Sequence, residues 1–134
     1  MINKHIFISL ATVLLMLSIF IFFIVFVHVS VNMDELKTKT FDTYNMEEIL
    51  SLKDDGTYVG TYDAFPLSVE VEVFIKNHQI DDVMIKNKSL FFNDEAKNII
   101  DSIKENLSID LTFSEKNEAS EKALILAIID ALEE

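Results

Sequence analysis

Leu67–Lys76 reads LSVEVEVFIK. Val69, Val71, Val73 and Ile75 fall on one face, and Ser68, Glu70, Glu72 and Lys76 on the other, a strict period of two. Alternate side chains of a pleated chain point to opposite faces, so this is the pattern of a half-buried antiparallel strand. Its valine face needs a covering layer. Upstream, Gly56 opens TYVGTYDA, a second β stretch of β-branched and aromatic residues in which Gly60 allows a bulge or a close backbone approach. Phe65-Pro66 marks the turn between the two. Downstream, Asn77-His78-Gln79 is a short connection to a returning strand at Ile80–Lys86. His78 has no second His nearby in sequence and reads as a solvated turn residue.

The cover comes from helical patterns on either side. Asn45-Met46-Glu47-Glu48 has the form of a helix start, with a capping Asn and a Glu three residues on, and Asp54-Asp55-Gly56 ends that helix by about Leu52. Asn93 caps a second helix with Asp94 and Glu95 in its first turn. Ala96, Ile99, Ile100, Ile103 and Leu107 then form one apolar face. Asn117 is placed to cap a third. There Ala119, Ala123, Leu124, Ala127, Ile128, Ala131 and Leu132 make a broad stripe that Ile125 and Ile129 widen, the mark of a helix buried against a sheet. The expected fold over residues 45–134 is therefore α+β: a small antiparallel sheet packed with an amphipathic helix and a buried C-terminal helix.

The N-terminal third is of another kind. After a short start at residues 1–5, residues 6–31 carry no charge. As helix they would span ~39 Å, more than the ~30 Å hydrocarbon core of a bilayer. A cleavable signal would have a shorter apolar run and a small-x-small site, and Phe26-Val27-His28-Val29 offers none, so the segment reads as an uncleaved single-pass anchor. Lys4 precedes it and Asp34 and Glu35 follow it. This predicts the N-terminus in the cytoplasm and the domain outside the cell membrane. Residues 32–44 read as a polar stalk, with room for some helix, that spaces the domain from the bilayer.

All 23 acidic residues lie after position 33, against 10 of the 11 basic ones, a net charge of −13 beyond the anchor. A surface so acidic excludes nucleic acid as a partner, since phosphate binding needs a basic face. It equally excludes a surface helix on anionic lipid. With no Cys, disulfides, thiolate metal sites and lipoprotein acylation are ruled out. Asp54-Asp55 and Asp81-Asp82 lack the spacing of a Ca²⁺ loop, and no nucleophile–base constellation is present. Neither catalytic nor metal-ligating residues are expected.

The order short helix, Lys53-Asp-Asp-Gly-Thr-Tyr-Val-Gly-Thr-Tyr62, valine strand, hairpin with Ile80-Asp-Asp-Val83, helix, Ser108-Ile109-Asp110, loop and alanine-rich helix resembles the FMN-binding domain of small membrane-anchored bacterial flavoproteins. A related domain occurs in flavinylated subunits of electron-translocating respiratory complexes. The resemblance implies FMN as cofactor, electron relay outside the membrane as function, and a membrane redox or transport complex as partner. It places the cofactor at Asp110, Phe113, Ser114, Asn117 and Ser120, where a loop feeds the N-terminus of the last helix. Phe91, Phe92 and Tyr62 are further aromatic candidates for the flavin ring.

The family's signature there is an Asp, two residues and Ser-Gly-Ala-Thr, with a hydroxyl esterified to FMN phosphate in flavinylated members. Asp110 matches the Asp, but Lys116 or Glu118 occupies the acceptor position and no Gly follows Gly60. Glu115, Glu118 and Glu121 surround the helix start and would repel a phosphate at separations within the ~8 Å screening length. Covalent flavinylation is not expected. Two functions follow: a non-covalent flavin electron carrier, or a flavin-free module for structural or protein interaction at the membrane.

Overall fold

A computed structural model describes residues 3–41, 44–106 and 112–133 and has the expected α+β architecture behind a long apolar helix. Strands β1 (Gly56–Ala64), β2 (Leu67–Lys76) and β3 (Gln79–Lys88) form an antiparallel meander in that spatial order. Leu67, Val69, Val71, Val73 and Ile75 of the central strand are all buried, as their period of two requires. On the opposite face Glu72 stays half-exposed and pairs with Lys86 at 3.3 Å.

The layer over the valine face is α4 (Glu118–Glu133), packed on β1 and β2. From Ala123 to Ile128 only Leu126 retains partial exposure. Gly60 faces this helix. A Cβ there would collide with the Ala127 carbonyl oxygen and lie 2.7 Å from the Ala131 Cβ, so of its two possible uses the glycine serves the close approach. The irregularities of the sheet fall elsewhere, between Glu70 and Val71 and between Phe74 and Ile75 in the β2–β3 register.

The other elements close the edges. α2 (Met46–Ser51) starts at Asn45, whose side chain accepts from the Glu48 N–H at 3.2 Å. At the β2–β3 turn, Asn77 and His78 both take positive φ (51° and 59°), the twist a two-residue hairpin prefers. The His78 ring is held 3.2 Å from the Leu50 carbonyl oxygen. The helix expected after Asn93 begins as a 3-10 turn, Asp94–Asn98, and becomes α-helical only as α3 (Ile99–Asn106). The Asn93 side chain accepts from the Glu95 N–H, and its carbonyl accepts from the Ala96 N–H at 3.0 Å, the i→i+3 bond of a 3-10 turn. The Leu107 end of that apolar face lies outside the described residues.

α1 (Lys4–Thr38) is one uninterrupted helix, and among the described residues it alone is long and apolar enough to cross a membrane. It does not stop at the end of the charge-free run. Residues 32–38, polar in sequence, continue it and bring Met33 and Leu36 into the domain core beside Phe41. The Asn32 Nδ2 donates to the Phe65 carbonyl at 2.6 Å, and the Lys122 ammonium donates to the Lys37 carbonyl. Helix and domain are thus joined by packing and hydrogen bonds. The Ala64 end of β1 lies beside Asn32, and its Gly56 end is ~26 Å further along the strand.

Candidate functional site

Two places merit consideration as a site: the start of α4, where the sequence puts a cofactor, and a cleft along its C-terminal half.

At the start of α4, Asp110 lies outside the described residues, and the other four predicted residues are placed as follows. Asn117 immediately precedes the helix, and its carbonyl accepts the first helical hydrogen bond, from the Glu121 N–H at 2.9 Å. Its side chain is buried and turned away from the helix. The amide oxygen accepts from Asn93 Nδ2, and its own Nδ2 donates to Glu95 Oε2 at 3.3 Å. Ser120 is also buried, its Oγ accepting from the Asn93 N–H at 2.9 Å. Asn93 therefore links two helix starts, its own 3-10 turn and α4. The sequence puts both asparagines at helix starts as caps. Asn93 caps with its side chain, whereas that of Asn117 bonds Asn93 and Glu95 instead, a link that nothing in their spacing indicates.

Ser114 is exposed, and its N–H donates to Glu121 Oε2 at 3.1 Å. Phe113 is half-buried, packed against Phe41 with ring centroids 6.3 Å apart. Lys122, only 4% exposed, lies 5.2 Å from the Phe113 centroid and pairs with Glu118 at 3.0 Å. The Glu121 carboxyl is pushed above its ordinary pKa, first by burial and then by Glu118, against the lowering effect of the Ser114 hydrogen bond.

These residues do not fit an FMN phosphate. A phosphate at a helix start needs free N–H groups, a backbone it can approach and a net positive field. Here a carboxylate of the chain takes the Ser114 N–H, the buried ammonium of Lys122 is committed to Glu118 and the Lys37 carbonyl, and the buried Ser120 oxygen accepts from the Asn93 N–H. The further aromatics do not gather there either. Phe92 is in the core, Tyr62 lines the cleft described next, and Phe91 pairs with Phe65, their centroids 6.4 Å apart.

The cleft, of about 380 Å³, runs between the last turns of α1, strand β1 and the C-terminal half of α4. Its floor is apolar: Leu36, Tyr62, Ala64, Leu126 and Ile129. Among the described residues, three carboxylates, Glu35, Asp130 and Glu133, stand at its rim with one ammonium, Lys39. Asp130 Oδ2 accepts from the Thr61 N–H at 2.8 Å, which ties the rim to β1. The Tyr62 phenol is raised above its usual pKa by burial and by Glu35. Acids at the end of α4 oppose the helix dipole, whose C-terminal pole is negative, and α4 has no basic residue in its last turn. Sequence reading missed this cleft because its walls come from three segments far apart in the chain. The one local signal was a helix ending in acids.

No model of a known protein family, no characterised protein and no solved structure matches the chain.

Proposed function

We propose that this chain is a membrane-anchored interaction module, inserted in the cell membrane through α1 with its acidic domain outside. In this reading it has a scaffold like that of the FMN-binding domain but holds no flavin. It works by receiving a cationic group of a partner, the Lys or Arg side chain of a membrane complex, in the cleft between α1, β1 and α4. The observation that carries the reading is the contrast in how the two places are satisfied. The start of α4 is closed by contacts of the chain with itself. The cleft presents an apolar floor under a carboxylate-rich rim. A Lys or Arg side chain matches both features, its methylene stem lying on the floor and its charge meeting the carboxylates.

The topology rests on Lys4 before the apolar run and Asp34 and Glu35 after it. The test uses the full chain in detergent micelles. Titrated into a fixed concentration of FMN, it is expected to leave flavin fluorescence and absorbance unchanged at high micromolar protein. A short oligolysine peptide is expected to bind, with an affinity that falls as salt rises. Saturable flavin quenching would restore the electron-carrier reading. Failure of the peptide to bind, with no flavin bound, would leave the module without its proposed ligand and refute the assignment of the cleft.

A further inference from the structure

Two loops far apart in sequence converge on an exposed apolar patch. Phe65, at the β1–β2 turn, is 53% exposed, and Leu90 and Phe91, just after β3, are 93% and 63% exposed. The Phe65 and Phe91 rings meet edge to face. Large apolar side chains held together in water, when the core of the same domain is well filled, mark a contact surface. We propose that Phe65, Leu90 and Phe91 form a wedge that enters the interface of the bilayer crossed by α1, seating the domain directly on the membrane.

The position of the patch names its occupant. Asn32 follows Val31, the last residue of the charge-free run, and its side chain donates to the carbonyl of Phe65 itself. At 1.5 Å of rise per residue, the Phe65 backbone is held within one helical turn of the end of the charge-free run. The patch therefore continues the exposed apolar surface of α1, in which Val31 is still 57% exposed. Helical residues from Asn32 to Thr38, packed into the domain, keep it from swinging away. Charge is not the attraction. The domain is strongly acidic, and next to the wedge Asp63 is exposed while Lys88 pairs with Asp94. Apolar burial at the headgroup–acyl boundary has to hold it, as for the apolar side chains of other interfacial segments.

This inference rests on the reading of α1 as a membrane span, and the experiment separates the two. The chain contains no Trp, so a single substitution supplies an unambiguous reporter. Full-length Leu90→Trp and Phe91→Trp are each reconstituted into phosphatidylcholine–phosphatidylglycerol vesicles, with and without brominated acyl chains. Leu52→Trp, 79% exposed near the Gly56 end of the sheet, is the control. Leu90 is so exposed that its substitution disturbs no packing. Expected are blue-shifted emission and loss of most of the signal to bromolipid at positions 90 and 91, with neither change at 52. If the protein resists alkaline extraction from the vesicles but the indoles introduced by Leu90→Trp and Phe91→Trp emit as in water, the wedge is refuted and the anchor stands. If the Leu90→Trp emission shifts only as protein per vesicle increases, without bromolipid quenching, the patch is a contact between copies and the proposal falls. If the chain does not integrate at all, the span and the wedge fall together.

Discussion

The two ends of α4 carry similar acids and use them in opposite ways. At its start, Glu118 and Glu121 sit where the helix dipole favours negative charge, and each has a partner of the chain's own: Lys122 for one, the Ser114 N–H for the other. At its end, Asp130 and Glu133 sit where the dipole disfavours them; Asp130 accepts from the Thr61 N–H, and both line a cleft. Acids in the first turn of a helix are what stability alone would select. Acids in the last turn are not, and here they stand beside an apolar floor. The comparison teaches that a sequence position which looks like a ligand site can be a structural joint, while a position that looks merely unfavourable can line a cleft, the proposed place of the ligand.

The contrast can be broken most severely at Lys122. Lys122→Met keeps the volume of the buried stem but removes the ammonium paired with Glu118 and the donor to the Lys37 carbonyl, which joins α4 to α1. Breaking a buried ion pair by deleting one partner costs about 3–5 kcal/mol, and the partial exposure of Glu118 brings the expected loss to about 2–3 kcal/mol. Chemical denaturation of the full chain in detergent measures it. A loss below about 0.5 kcal/mol would mean that the start of α4 is not the joint described here.

A smaller effect, of opposite sign, is expected at Glu121. Its folded pKa is raised above the unfolded value, so its contribution is fully present below the unfolded pKa and is lost as pH rises through the folded one. At neutral pH the buried charge is therefore a burden, even though the helix start favours it. Glu121→Gln keeps an acceptor for the Ser114 N–H and removes the charge. The variant is expected to be more stable than the parent at pH 7, and the difference is expected to vanish in denaturation curves taken below the usual carboxylate range. An unchanged difference across that window would show that Glu121 does not titrate as its surroundings imply.

The sheet and α4 were legible in the sequence because their signals are local. The alternation of Leu67–Lys76 and the stripe of Ala123, Ala127 and Ala131 each define a face without reference to the rest of the chain. Even the close approach at Gly60 could be read, as one of two uses of a glycine in a strand. Residues 32–38 were harder. Their polarity reads as a spacer, yet Met33 and Leu36 give them just enough apolar surface, once α1 arrives as a continuing helix, to pack into the core. The start of α4 was legible as a position and illegible as chemistry. Whether Asn117, Ser120 and Lys122 are free or engaged depends on Asn93, Lys37 and Glu118, and two of these three come from segments with no sequence relation to the loop.

The smallest change falls at the other end of α4 and sharpens the comparison most. Glu133→Gln removes a carboxylate from the last turn of the helix, where relief from the dipole contributes about 0.3–1 kcal/mol, and exposure puts the expected gain at the low end. Stability should thus rise slightly while oligolysine binding weakens. Glu133 also acts on Tyr44, whose phenol pKa is pushed up to about 12, first by burial and then by this carboxylate. The Tyr44 hydroxyl is buried, with no hydrogen-bond partner among the described residues. Because the phenol stays neutral, its contribution to stability is complete below pH 10 and is lost as pH climbs towards 12. Removing Glu133 should lower the Tyr44 transition in a tyrosinate absorbance titration but leave it above 10, because burial, the larger cause, remains. A stabilised variant with weakened peptide binding and an earlier Tyr44 transition would place the charge of Glu133 at the cleft, acting on ligand and phenol alike. A variant with the earlier transition and unchanged peptide binding would leave the carboxylate near Tyr44 but remove it from recognition, and with it a third of the acidic rim on which the cationic partner depends.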